Sequence, residues 1–163
     1  MDVLVVGCGH PDRGDDAVGL MVAAGVHRAA PTVPVHQIAD PVHLVALLSG
    51  HDLVVVVDAA TGTGPPGVTH VHEVGDTPLP VPVTSVTSTH GLSVSDAIEL
   101  SRRVGGLPRR LVVVTVAGSR FALGTVPQDA VRDAVAPAVR RVLALVAAGG
   151  GASLRTEVPG RAR

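Results

Sequence analysis

The sequence predicts an α/β fold: a three-layer sandwich whose mostly parallel, twisted sheet of about five strands is flanked by helices. Two observations predict it. Val3–Val6, Leu53–Val57 and Leu111–Val116 are apolar runs without polar alternation, the pattern of strands covered on both faces. Between such runs lie stretches with helical apolar spacing, set off by Gly, Pro and Asp. Strands alternating with helices build parallel sheets, and right-handed crossovers bring Gly7 and Asp58 to one rim.

The elements follow in order. After Val3–Val6, the segment Gly7-Cys8-Gly9-His10-Pro11-Asp12-Arg13-Gly14 turns the chain, and Asp15-Asp16 opens a helix. Val18, Met21, Val22, Gly25 and Val26 form its apolar stripe. Val33–Ile38 reads as a second strand. Asp40-Pro41 then starts a short helix, Val42–Leu48, with Asp at the N-cap and Pro at the first helical position. Leu53–Val57 is almost wholly β-branched and so central, with Asp58 terminating it. Val68–Val74 alternates Val with His, Thr and Glu, as an edge strand wet on one face does. The Pro-, Thr- and Ser-rich segment Gly75–His90 reads as a long ordered loop, a kind that tends to be functional. Ser93 and Asp96 have capping-box spacing at the start of a helix reaching about Val104. After Leu111–Val116 comes a loop, and then the amphipathic helix Asp129–Ala147, which Pro137 should kink or break.

The chain has 163 residues, is 46% hydrophobic and has a formal net charge of −1. That length suits one domain, placed at residues 1–147, with 148–163 expected to be a disordered tail. Apart from three Arg pairs the basic residues are scattered, and Phe121 is the sole aromatic side chain, so stacking platforms for single-stranded nucleic acid are missing. No apolar stretch has the length that spans a bilayer. Met1 leads directly into a strand pattern rather than a secretory leader, and the lone Cys8 has no internal disulfide partner. These features predict a soluble cytoplasmic protein with neither nucleic-acid nor membrane partners.

Three polar positions interrupt strong patterns: Asp15-Asp16, Asp58, and His90 in the turn Thr89-His90-Gly91. Two carboxylates and an imidazole form a sensible ligand set for a divalent transition metal with open positions. Each also has a plainer role, as helix cap, turn residue or ordinary loop histidine. Cys8 lies beside these residues, where acid disfavours a thiolate. His70 and His72 share one face of a strand, and two ligands alone make a weak metal site. His27, His36, His43 and His51 read as structural or solvent-facing. Gly7-Cys8-Gly9 is not a dinucleotide fingerprint, because Asp12 stands where the third Gly belongs and acid at the helix start repels a pyrophosphate.

In order and spacing, Val5-Val6-Gly7-Cys8-Gly9-His10-Pro11-Asp12-Arg13-Gly14-Asp15-Asp16-Ala17-Val18-Gly19, Val54-Val55-Val56-Val57-Asp58-Ala59-Ala60 and Ser88-Thr89-His90-Gly91-Leu92-Ser93-Val94 resemble the hydrogenase maturation proteases. The resemblance runs from Val3 to about Leu145. It implies a peptidase that removes the C-terminal extension of a nickel–iron hydrogenase large-subunit precursor after nickel insertion. It further implies that Asp16, Asp58 and His90 are the catalytic and metal-binding residues, with nickel carried by the precursor rather than held permanently. Hydrolysis is then aspartic-type or metal-assisted, with no covalent intermediate. Gly7, Gly9 and Gly19 also match the family, and Asp15 is expected to be the helix cap. His10 stands where the family commonly has Asn, Ala39-Asp40-Pro41-Val42 replaces an Asp-Gly-Gly-Thr-like turn, and Ala117–Phe121 lacks an acid or amide. Two further readings stay open: a chaperone that holds the metal-loaded precursor without cutting it, and a metallohydrolase of small substrates.

Overall fold

A computed structural model describes residues 1–77, Leu79 and 91–151. The strands are β1 (Val3–Cys8), β2 (Val35–Ile38), β3 (Leu53–Ala60), β4 (Thr69–Val74) and β5 (Arg110–Ala117), and the helices are α1 (Val18–Ala29), α2 (Leu44–Leu47), α3 (Val94–Arg103) and α4 (Asp129–Gly151). They form one sheet in the order β2-β1-β3-β5-β4. β1 is parallel to β2 and β3, β3 is parallel to β5, and the edge strand β4 alone runs antiparallel.

The two sheet faces bury separate cores. Val5, Val55, Val57, Val112, Val114 and Val116 pack against Val18, Val22 and Val26 of α1 and Val131, Ala138 and Val142 of α4. Leu4, Val6, Val54, Val56, Leu111 and Val113 pack against Leu44 of α2 and Ala97 and Ile98 of α3. This is the expected three-layer sandwich. Every residue of β3 is buried, and each fully buried Val contributes about 1.5–3 kcal/mol, which is why this run takes the centre.

Several local signals act as written. The Ser93 Oγ accepts from the Asp96 N–H while the Asp96 carboxylate accepts from the Ser93 N–H, closing the capping box of α3. The Asp40 Oδ1 accepts from the Val42 N–H at 3.0 Å, capping a 3-10 turn Pro41–His43 that leads into α2. β2 starts at Val35 rather than Val33.

Two expectations are corrected. β3 does not end at Asp58: it continues to Ala60, because β5 offers a ladder through Thr115, Val116 and Ala117. α4 runs through Pro137 unbroken and on to Gly151, past the expected boundary at Ala147. Pro137 lies on the exposed side of the helix, where the carbonyl it leaves without a donor can take water. Opposite it, Val131, Ala134, Ala138 and Val142 hold α4 onto the core. The rest of the expected tail, 152–163, and most of the expected Gly75–His90 loop (Pro78 and 80–90) lie outside the described residues.

Candidate functional site

The strand order creates a crevice. From β1 the chain leaves through α1 on one face, whereas α2 returns to β3 on the other, so the carboxyl ends of β1 and β3 flank a topological switch point. The register pairs Gly7 with Val57, which sets Cys8 level with Asp58. Side chains alternate across a strand, so Asp58 shares the face of Val56 and Cys8, toward α2 and α3.

Close approach of the backbone builds the loop around these residues. Gly9 has a φ of 151°, and a side chain on it would run into the backbone carbonyl of Asp16. A Cβ on Gly19 would meet the carbonyl oxygens of Cys8 and Val57, so α1 can start directly against the ends of β1 and β3.

Asp16 lies in a 3-10 turn, Gly14–Ala17, and is 1% exposed. Its Oδ2 accepts the His10 N–H at 2.7 Å, and its buried Oδ1 has no hydrogen-bond partner among the described residues. Burial pushes its carboxyl pKa up, and the His10 N–H together with the His10 and Arg13 side chains offsets only part of that shift. Asp58 is also 1% exposed, and its Oδ1 accepts from the Ala59 N–H at 2.9 Å. It therefore sits inside a strand and not in a turn. Cys8 feels both: burial first, then the charges of Asp58 and Asp16, push its thiol pKa well up. A thiol held in that state is no nucleophile.

Asp15 and Asp16 do separate, but the expected role of Asp15 is corrected. It caps no helix: neither the 3-10 turn nor α1 has a side-chain cap. Its buried carboxylate instead accepts from the N–H groups of Ser119 and Arg120, both at 2.9 Å, from the Gln128 N–H at 2.8 Å and from Gln128 Nε2 at 2.6 Å. Burial alone would raise its pKa, yet the Gln128, Ser119 and Arg120 bonds hold it below its ordinary value. Asp15 thus ties the β5–α4 loop to the turn carrying Asp16. Gln128, which also bonds Ser119 Oγ, escaped the sequence reading because its only local signal is a polar residue before a helix start.

His90 lies outside the described residues. Among those described, no three His, Cys, Asp or Glu side chains are grouped to hold a metal ion. His70 and His72 share the expected face with ring centroids 6.1 Å apart, and His70 Nε2 bonds the Thr63 carbonyl at 3.1 Å. His27, His36 and His43 are exposed, and His51 meets Asp2. The His10 Nδ1 accepts the Asp12 N–H at 3.2 Å.

The HycI model, described as hydrogenase maturation protease, matches residues 39–145. The chain belongs to the hydrogenase maturation protease family. The match includes the positions of Asp58 and His90 and begins after Asp16. No curated protein matches this family member by sequence. Its fold is similar to that of the hydrogenase maturating endopeptidase HybD from Escherichia coli, with a TM-score of 0.76 and 22% identity over 92% of this chain and 94% of that one. The [NiFe] hydrogenase maturation protease HycI from Thermococcus kodakarensis KOD1 gives a TM-score of 0.62 and 22% identity over 91% of each chain. A family of maturation endopeptidases makes this chain a peptidase. Among the described residues no helix is long and apolar enough to cross a membrane.

Proposed function

We propose that the protein removes the C-terminal extension of a nickel–iron hydrogenase large-subunit precursor, using nickel carried by that precursor as the recognition element. Asp16, Asp58 and His90 are the groups that would engage the substrate's nickel. The observation that carries this reading is the buried pair of carboxylates around Cys8 at the β1–β3 crevice, with Asp16 Oδ1 lacking a hydrogen-bond partner among the described residues. Holding an ionised carboxylate out of water costs several kcal/mol, and a cation arriving with the substrate offsets that cost.

Oxygen donors with an imidazole suit a divalent transition metal that keeps open positions. Held by these residues, the substrate's nickel would supply Lewis-acid chemistry to a nearby carbonyl or water, and a carboxylate can serve instead as general base. Raised by burial, the Asp16 pKa brings this carboxyl closer to the range of a working base. A thiolate route is disfavoured by the raised Cys8 pKa, which leaves hydrolysis without a covalent intermediate. The cytoplasm, where a lone cysteine stays reduced, is the expected compartment.

The test is mass spectrometry of purified precursor, nickel-loaded and nickel-free, after incubation with the protein. Nickel-loaded precursor is expected to lose its extension and nickel-free precursor to stay intact. Asp16→Asn, Asp58→Asn and His90→Gln should each abolish the mass loss. Normal rates in all three variants would refute the assignment, and tight binding of precursor without mass loss would favour a chaperone.

A further inference from the structure

Away from the crevice, α1 and α4 leave a groove of about 650 Å³ between them. Its floor is apolar, with Gly25 of α1 facing Val135 and Val139 of α4, and Gly25 lies so close to Val139 that a Cβ would clash with it. Arg28, Arg132 and Arg140 line the same groove and are exposed, and among the described residues no acidic side chain lines it. Arg132 pairs with Asp129, while Arg28 and Arg140 make no ion pair among the described residues. On α4 the residues 132, 135, 139 and 140 recur at helical spacing, so the cations and the floor belong to one face.

Resting on the processing function proposed above, we infer that this groove docks an acidic, amphipathic helix of the protein substrate. Arg28 and Arg140, which make no ion pair among the described residues, flank the apolar floor from α1 and α4 and gain from carboxylates brought alongside, whereas Arg132 is already matched by Asp129. A docked helix places carboxylates beside Arg28 and Arg140 and fills the floor with aliphatic side chains between. Other occupants fit the charge less well. A second copy seated symmetrically brings the same arginines face to face, and residues 152–163 carry Arg155, Arg161 and Arg163 against the single Glu157.

The test uses Arg28→Glu with Arg140→Glu in the full chain, and nickel-loaded precursor as the probe. Both side chains are exposed and lie outside the proposed catalytic set, so the variant is expected to fold and its melting temperature checks this. Precursor binding is followed by sedimentation velocity and processing by mass spectrometry. The dissociation constant and KM should rise at least about tenfold, with kcat within about twofold. Arg28→Lys with Arg140→Lys should restore binding, and added salt should weaken the wild type more than the Glu variant. Unchanged binding and KM in the Glu variant overturn the inference. So does an absence of wild-type binding to the precursor, or a wild-type dimer that the Glu variant dissociates. Arginine-dependent binding without shortening of the precursor upholds the groove while defeating the processing function.

Discussion

Replacing Asp15 by Asn tests the tether between the opening turn and the β5–α4 loop. Its carboxylate accepts from four donors: Oδ2 takes Ser119 N–H, Arg120 N–H and Gln128 Nε2, and Oδ1 takes Gln128 N–H. An amide keeps one accepting oxygen. With that oxygen in the Oδ2 position, an NH2 group faces the Gln128 N–H; in the reverse orientation three donors lose their acceptor. The better arrangement forfeits one bond to a charged group, about 1.5–3 kcal/mol, and converts the others to weaker neutral bonds. A loss of about 3 kcal/mol follows, or about 6–12 °C in Tm for a chain of this size. Because the folded pKa of Asp15 is depressed, its stabilisation is complete above the unfolded value near pH ~4 and is lost as the pH falls through the folded value. Urea unfolding of wild type and variant should therefore give a constant difference around neutral pH that shrinks on acidification below the unfolded value. A difference below about 1 kcal/mol at neutral pH, or one indifferent to acid, would refute the tether.

Other consequences are equally direct. Burial raises the Asp16 pKa, so ionising this group costs stability in the folded chain as the pH rises through that value. Asp16→Asn should thus unfold at higher urea concentration than wild type at neutral pH while losing processing by at least about 100-fold, and a variant both less stable and fully active contradicts the assignment. Cys8 should resist alkylation by iodoacetamide in the folded protein near pH ~8 and react only on unfolding, and Cys8→Ala should still process precursor. Rapid labelling of the native thiol would show that the crevice is open to solvent. Gly19→Ala places a methyl against the Cys8 and Val57 carbonyls and should cost about 3 kcal/mol, read as a fall in the urea midpoint, because neither obstacle is a flexible side-chain end.

The sequence by itself determined the layers. β-branched runs, helical spacing and caps are local codes, and Ser93 with Asp96 or Asp40 with Pro41 acts within a few residues. It also singled out the Asp15-Asp16 pair and Asp58 as polar interruptions of strong patterns, while the choice of Asp16 over Asp15 came from the family resemblance. What Asp15 does had no such code: its partners lie more than a hundred residues away, and only the folded chain brings Ser119, Arg120 and Gln128 around it. In sequence, an acid that stops an apolar run reads as a strand end at Asp58. The backbone instead follows hydrogen bonding, and β5 supplies a ladder as far as Ala60. The tertiary structure likewise decided the state of Cys8, since a pKa answers to burial and to charges from other segments rather than to neighbours in sequence.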